Sequence, residues 1–361
     1  MNTHLGFPRA ALWLAVLMSA HLVCANAQTP ATSTSGGPPS AALVSPPAPP
    51  STVVPWPAEL PGALSSSATR FVVPESNYVL DFHGAAQNPD LVLFMAGNQY
   101  RAIPDLIAAF RQWVGTEPQH AGVRVDNIFY ATLPPGRLID GMQSGRITLG
   151  NYWFEVAPGK LWPDVFMTGQ RQQKRLKDLG YVDTFSVYAR NRGMALLVRK
   201  GNPLNIRSVA DLARPDVRVA ISSPQREPAS FDSYAATLRS QGGADLPIKV
   251  LAKASTVSPA SVHHRENSQF VYDGRADVAP MYTHLASYLQ TALPDAFAVV
   301  QLPSEGNFID ALGISMIKST DRPRAAQAWI DFMHTDEAAA VYARHGFVYA
   351  VAAERRVALV P

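Results

Sequence analysis

Two short stretches hold the residue types that could do chemistry. In Ala96-Gly97-Asn98, a small-residue turn follows the apolar run Leu91-Val92-Leu93-Phe94-Met95 and precedes a helical pattern. Such a turn presents backbone N–H groups at a strand end and a helix N-terminus, a setting that favours an anion. Asn98 adds an amide that donates hydrogen bonds; it also suits a left-handed turn and would then serve only the backbone. In Ser261-Val262-His263-His264-Arg265-Glu266, two imidazoles and a guanidinium stand together. Arg offers a planar fork to a carboxylate or oxyanion and His donates from a ring nitrogen, so this loop could bring charge to an anion. The alternative is a polar first helical turn in solvent. Adjacent histidines point about 100° apart on a helix, so this pair alone makes no metal clamp, and a metal would need His284 or Glu266 besides. The chain has no GxSxG, HExxH, CxxC or GxxxxGK[ST] pattern, so no catalytic set is expected.

The elements that must position these residues alternate between strand and helix. Leu91–Met95 is apolar throughout, as a strand covered on both faces is, and Ile103, Leu106, Ile107, Phe110 and Trp113 then form a helical stripe. Val123–Val125 and Ile128–Tyr130 predict a second strand leading into the turn Ala131–Gly136, and Asp164–Met167 a third entering Thr168-Gly169. A charged helix over Arg171–Leu179 closes at Gly180. Further strands are expected at Met194–Arg199, Val217–Ile221, Ile248–Leu251, Asp277–Tyr282, Phe297–Leu302 and Leu312–Ile317. Ser208 begins a capping box, Pro228-Ala229-Ser230 opens a helix, and two helices end the chain, the last capped by Thr335 and stopped at Gly346. This alternation predicts parallel α/β sheets.

With 361 residues, 47% hydrophobic and 16% charged, the chain is large enough for two lobes with real cores. Residues 1–27 carry one formal charge, Arg9, an apolar run from Ala10 to Val23 and the small-x-small pattern Ala25-Asn26-Ala27. They read as a signal peptide cut before Gln28, which implies export to the periplasm. Cys24, the only cysteine, follows Val23, where a lipoprotein signal would carry Gly, Ala or Ser; the cut removes it and with it any thiol chemistry. Residues 28–69 hold 10 of the 30 prolines and a single charge, Glu59, the composition of a disordered linker. A formal net charge of +3, or +2 without Arg9, suggests no nucleic-acid partner.

Five segments in order resemble the type II periplasmic solute-binding proteins of ABC importers, and within them the molybdate-binding branch. They are LVLFMAGNQYRAIPDLIAAF, PDVFMTGQRQQKRLKDLG, ALLVRKGNPLNIRSVADLARPDVRVAISSP, GRADVAPMY and AAQAWIDFMHTDEAAAVYARHGF. The resemblance covers roughly residues 88 to 350 and implies two α/β lobes, each a mostly parallel sheet flanked by helices, joined by crossovers near Arg192–Met194 and Ser304–Ala311. Lobe 1 is then 70–193 plus 307–361, and lobe 2 is 194–306. It implies no catalysis and no cofactor, but a monomer that carries a small anion, a molybdate-like oxyanion foremost, to an inner-membrane permease; a carboxylate, a metal ion or a sensing role is the alternative. The family pattern places ligand contacts at Gly97 and Asn98, at Thr132, at Ala229 and Ser230, and at Tyr282, whose alternative is a core tyrosine bonded to backbone. Two prolines after Thr132 depart from it by removing N–H donors. His264 and Arg265 stand where an uncharged family loop enters the cleft, and are expected to add charge to the anion pocket.

Overall fold

The computed structural model describes residues 81–149, 152–253, 257–260 and 262–350. The expected signal peptide and linker, and the possible edge strands at 71–73 and 78–80, lie outside these residues. The first lobe opens with β1 (Phe82–His83), β2 (Leu91–Met95), α1 (Ile103–Thr116), β3 (Ile128–Ala131) and α2 (Pro135–Ser144). A hairpin of β4 (Arg146–Leu149) and β5 (Tyr152–Glu155) follows, then β6 (Val165–Gly169), α3 (Gln170–Asp178) and β7 (Ser186–Arg190). The second lobe holds β8 (Met194–Arg199), β9 (Val219–Ser222), α4 (Pro228–Gly242), α5 (Leu246–Ala252), β10 (Val257–Ala260), α6 (His263–Tyr272), β11 (Val278–Tyr282), α7 (Thr283–Ala292) and β12 (Phe297–Gln301). The chain then returns to the first with β13 (Ala311–Met316), α8 (Pro323–Phe332), α9 (Asp336–Arg344) and β14 (Val348–Tyr349).

The first sheet runs β1-β3-β2-β6-β13-β7-β14 and the second β10-β9-β11-β8-β12. The two-lobe α/β architecture is as expected, but strand pairing within it is mixed rather than mostly parallel. β3, β2 and β6 are parallel, as are β10, β9 and β11, whereas β13 and β8 are antiparallel to both of their neighbours. The cause is the crossing itself. β13 and β8 each follow directly on a passage between lobes, so they start at the cleft edge and run away from it, antiparallel to the strands beside them, β6 and β7 for β13 and β11 and β12 for β8. The passages at 191–193 and 302–310 are laced together: Asp310 N donates to Asn191 Oδ1 and Asn191 N to Asp310 O, both at 3.1 Å, and the Asn307 amide bonds both backbone groups of Met194 at 2.8 Å.

β2 shows why a continuous apolar run is needed at the centre. Leu91, Leu93 and Met95 enter the core under α1, α8 and α9, while Val92 and Phe94 enter the core under α2 and α3. Gly180 and Gly346, the expected helix stops, and Gly145, which ends α2, all have φ between +77° and +80°. One expected strand and the first part of another are absent. The Arg111 guanidinium donates to Val125 O and Asp126 O (3.1 and 2.8 Å), so the carbonyls that would extend β3 backwards belong to a helix side chain. Ile248–Leu251 lies inside α5, where Leu246 and Val250 are buried at helical spacing, Pro247 stands in the first turn and Ile248 is 68% exposed.

Candidate functional site

The cleft-facing strand ends of both sheets surround a cavity of about 240 Å³. Helix starts line it from both lobes: Pro135 of α2, Gln170 to Gln172 of α3, Ala229 and Ser230 of α4, and His263 of α6, with Tyr282 just before α7. None of these five helices is capped by the side chain of its own N-cap residue, but the Glu227 carboxylate caps α6 through the His263 N–H. Four uncapped positive dipole ends therefore converge on one small space.

Gly97 and Asn98 line the same cavity in a 3-10 turn. Asn98 is not among the residues with positive φ, so a left-handed turn is not what it serves. Gln99, which the sequence reading missed, holds that turn: it is fully buried and accepts from the hydroxyls of Tyr188 and, at 2.6 Å, Tyr342. α3 is anchored in the same manner by buried Gln173, whose amide donates to Phe166 O and Gly313 O (2.9 and 2.8 Å) and accepts from Ser315 Oγ (2.8 Å). Among the described residues, four buried polar atoms of the cavity lining have no hydrogen-bond partner: Asn98 Oδ1, Thr168 Oγ1, Gln172 Oε1 and His263 Nε2. A buried polar atom left unpaired costs about 1–3 kcal/mol, so four in one cavity mark a place for a polar guest.

Of the expected contacts, Gly97, Asn98, Ala229, Ser230 and Tyr282 line the cavity. Tyr282 has a side-chain hydrogen bond to Ser233, and burial pushes its phenol pKa up, so it is a neutral hydroxyl. Thr132 does not line the cavity. It is fully buried and its N–H donates to Asp81 O (2.8 Å), so the sheet edge claims it, and Pro135 reaches the cavity in its place.

His264 and Arg265 also lie elsewhere than expected. They are 2% and 3% exposed, so the solvated helix start is overturned, but neither lines the cavity. They form a seam between the lobes. Arg265 Nη2 meets Asp81 Oδ2 at 2.5 Å, and His264 Nε2 lies 3.6 Å from Asp81 Oδ1. The His264 ring rests on Gly97 so closely that any Cβ there would collide with it. Burial pushes the His264 pKa well below its usual value, helped by Arg265 and His263. Burial also raises Asp81 to about 7 against the pull of Arg265 and Arg137. The seam continues where His284 Nε2 donates to Asn98 O (2.9 Å) and Arg101 lies 3.3 Å from the Tyr288 ring centre.

The neighbour of these two, His263, is the one that faces the cavity. Its Nδ1 lies 2.5 Å from Glu227 Oε1, its backbone N–H donates to Glu227 Oε2 (2.9 Å), and Ser230 Oγ donates to Oε1 (3.1 Å). The Glu227 charge is thus spent on the start of α6. Asp310, in the second passage, is the other carboxyl in the lining, and burial raises it to about 6 against the pull of Arg171. Arg171 pairs with Asp232 of the other lobe at 2.5 Å. Glu227, Thr168, Arg171 and Asp310 were not singled out from sequence; Thr168 was the most accessible, since it ends a strand that was predicted.

Two α/β lobes with paired passages and a polar cavity between them define a two-lobe binding protein. The sequence matches the bacterial extracellular solute-binding protein family over residues 91–348, and the chain belongs to that family. Solved structures repeat the fold. The sulfate-binding protein SubI from Mycobacterium tuberculosis H37Rv is 21% identical with a TM-score of 0.53, covering 75% of this chain and 91% of that one. The Azotobacter vinelandii periplasmic molybdate-binding protein is 19% identical with a TM-score of 0.54, covering 72% and 98%. Iron-bound HitA from Pseudomonas aeruginosa is 15% identical with a TM-score of 0.51, covering 75% and 90%. A search of curated proteins finds no match. Among the described residues, no helix is long and apolar enough to cross a membrane.

Proposed function

We propose that this chain is the periplasmic solute-capturing component of an ABC importer, a monomer that closes its lobes on a small anion and passes it to a membrane permease. The observation that carries the reading is the convergence of four uncapped helix N-termini on a cavity whose lining holds unpartnered buried polar groups. At about 240 Å³ the cavity is smaller than the roughly 300–1,000 Å³ of pockets for drug-sized ligands, which favours a compact guest such as a molybdate-like tetrahedral oxyanion. Gly97, Asn98, Ala229, Ser230 and Tyr282 remain contacts in this reading, joined by Thr168, His263 and Arg171. An amide flip turns the Asn98 NH₂ into the cavity as a donor. Thr132, His264 and Arg265 leave the contact set. The signal peptide 1–27, the linker 28–69 and the lobe boundaries 70–193 with 307–361 and 194–306 complete the proposal.

Sulfate and molybdate, named in two of the structural relatives, are the first probes, followed by tungstate, phosphate and small carboxylates. A bound anion should raise the melting temperature by mass action, and a ligand at 100 times its Kd stabilises by about 2.7 kcal/mol. If none of these anions moves the transition, the anion reading fails.

A further inference from the structure

We propose that Glu227, His263 and His264 form a binding site for one dication of the zinc, cobalt and nickel kind. One donor atom from each of the three lies within 4.8 Å of the other two, and every member is about 2% exposed. Among the described residues this is the one such group. Both ring nitrogens of His264 are buried without a hydrogen-bond partner, an arrangement that is costly unless something else meets one of them. Adjacent histidines diverge on a helix, yet at the start of α6 the two rings meet edge to face with centres 5.5 Å apart. Glu227, from the loop before α4, is the third member that sequence spacing could not supply.

Two imidazole nitrogens and one carboxylate oxygen suit a borderline cation; magnesium and calcium want shells made of oxygen. The 2.5 Å contact between His263 Nδ1 and Glu227 Oε1 marks the seat, since a shared proton there is what a metal replaces. Donor atoms around a tetrahedral zinc stand about 3.3 Å apart, so this pair opens and His264, within 4.8 Å of both, swings in by up to about 1.5 Å. Ser230 Oγ and the His263 N–H already orient the carboxylate, and Arg265 is held against Asp81 rather than aimed at the seat. Three protein donors leave a coordination position, and because Glu227 and His263 line the cavity, it opens there.

The test uses tag-free chain stripped with a chelator, titrated with Co²⁺ alone and followed by visible absorption, with Zn²⁺ as competitor. One equivalent should bind with the intense absorption of a low-coordinate site, and His264→Gln and Glu227→Gln should each weaken uptake roughly tenfold or more. X-ray absorption of the zinc-loaded parent should show scattering from two imidazoles, a readout that does not depend on how the variants fold. Absence of saturable uptake, uptake that both variants leave unchanged, or a shell without imidazole would overturn the site. Sulfate titrated into the stripped protein tests the anion reading separately: anion binding without metal uptake rejects only this site, and metal uptake without anion binding rejects only the anion.

Discussion

His263 and Arg265 stand two residues apart in one turn of α6, yet one faces the cavity and the other closes the seam beside it. In the seam, buried polar side chains meet a partner from the opposite lobe: Arg265 has Asp81, and His284, held neutral by burial, has the Asn98 carbonyl. In the cavity, Asn98, Thr168 and His263 present polar atoms that no part of the chain satisfies. Both regions are buried and polar, so burial alone does not separate structural from binding residues. Pairing separates Arg265 and His284 Nε2 from Asn98, Thr168 and His263, with His264 the seam residue whose ring nitrogens have no hydrogen-bond partner; a satisfied polar group stabilises the closed lobes while an unsatisfied one lowers their stability until a ligand meets it.

The sharpest way to break this contrast is Arg265→Ala. It leaves the Asp81 carboxyl buried without its guanidinium and should cost about 3–5 kcal/mol of stability in urea denaturation near neutral pH. The pH dependence has a definite sign. The folded-state pKa of Asp81 is raised to about 7, so its stabilising contribution is complete below the unfolded value near 3.8 and is lost as pH rises through about 7. Without Arg265 the neutral carboxyl is favoured still more, so the loss should be smaller at pH 5 than at pH 8. An equal loss at both would mean that Asp81 is not what Arg265 serves.

Thr168→Val probes the other region and should act in the opposite sense on stability. Removing a buried hydroxyl without a partner should leave the free protein as stable or slightly more so, while anion binding weakens by roughly 1.5–3 kcal/mol, the range for a hydrogen bond to a charged group. Calorimetric titration beside thermal unfolding separates the two, and a variant that loses stability and keeps its affinity would place Thr168 with the seam.

A smaller effect is expected from Asp310. Its carboxyl, held up at about 6 by burial, carries charge into the cavity at pH 7.5 and is mostly neutral at pH 5. Sulfate stays fully ionised over that interval, so it should bind more tightly at the lower pH, and Asp310→Asn should remove that share of the change. An unaltered pH profile in the variant would take Asp310 out of the ligand's field. Ile248→Ser, on the exposed face of α5 and in neither region, should stay within about 0.5 kcal/mol in denaturation and leave sulfate affinity unchanged.

What could be read from the amino acids alone was local. The unbroken apolar run of β2, the stripe of α1, the glycine stops at 145, 180 and 346 and the Thr335 cap, which accepts from Ala338 N, each depend on residues within a few positions, and all are present. Gly97, Asn98, Ala229, Ser230 and Tyr282, where the family resemblance puts ligand contacts, line the cavity because strand ends and helix starts meet at the cleft in this fold. The strand predicted at Ile248–Leu251 failed because four apolar residues fit either period until the packing of Leu246 and Val250 decides between them. What only the tertiary structure decided was which partner each polar side chain found. Arg265 finds Asp81 184 positions away (265 − 81), and Glu227 finds His263 36 positions away. An exposed Arg fork and a buried Arg pair read the same in one dimension; burial and charge compensation are properties of the space around a residue, and that space is filled by chain from the other lobe.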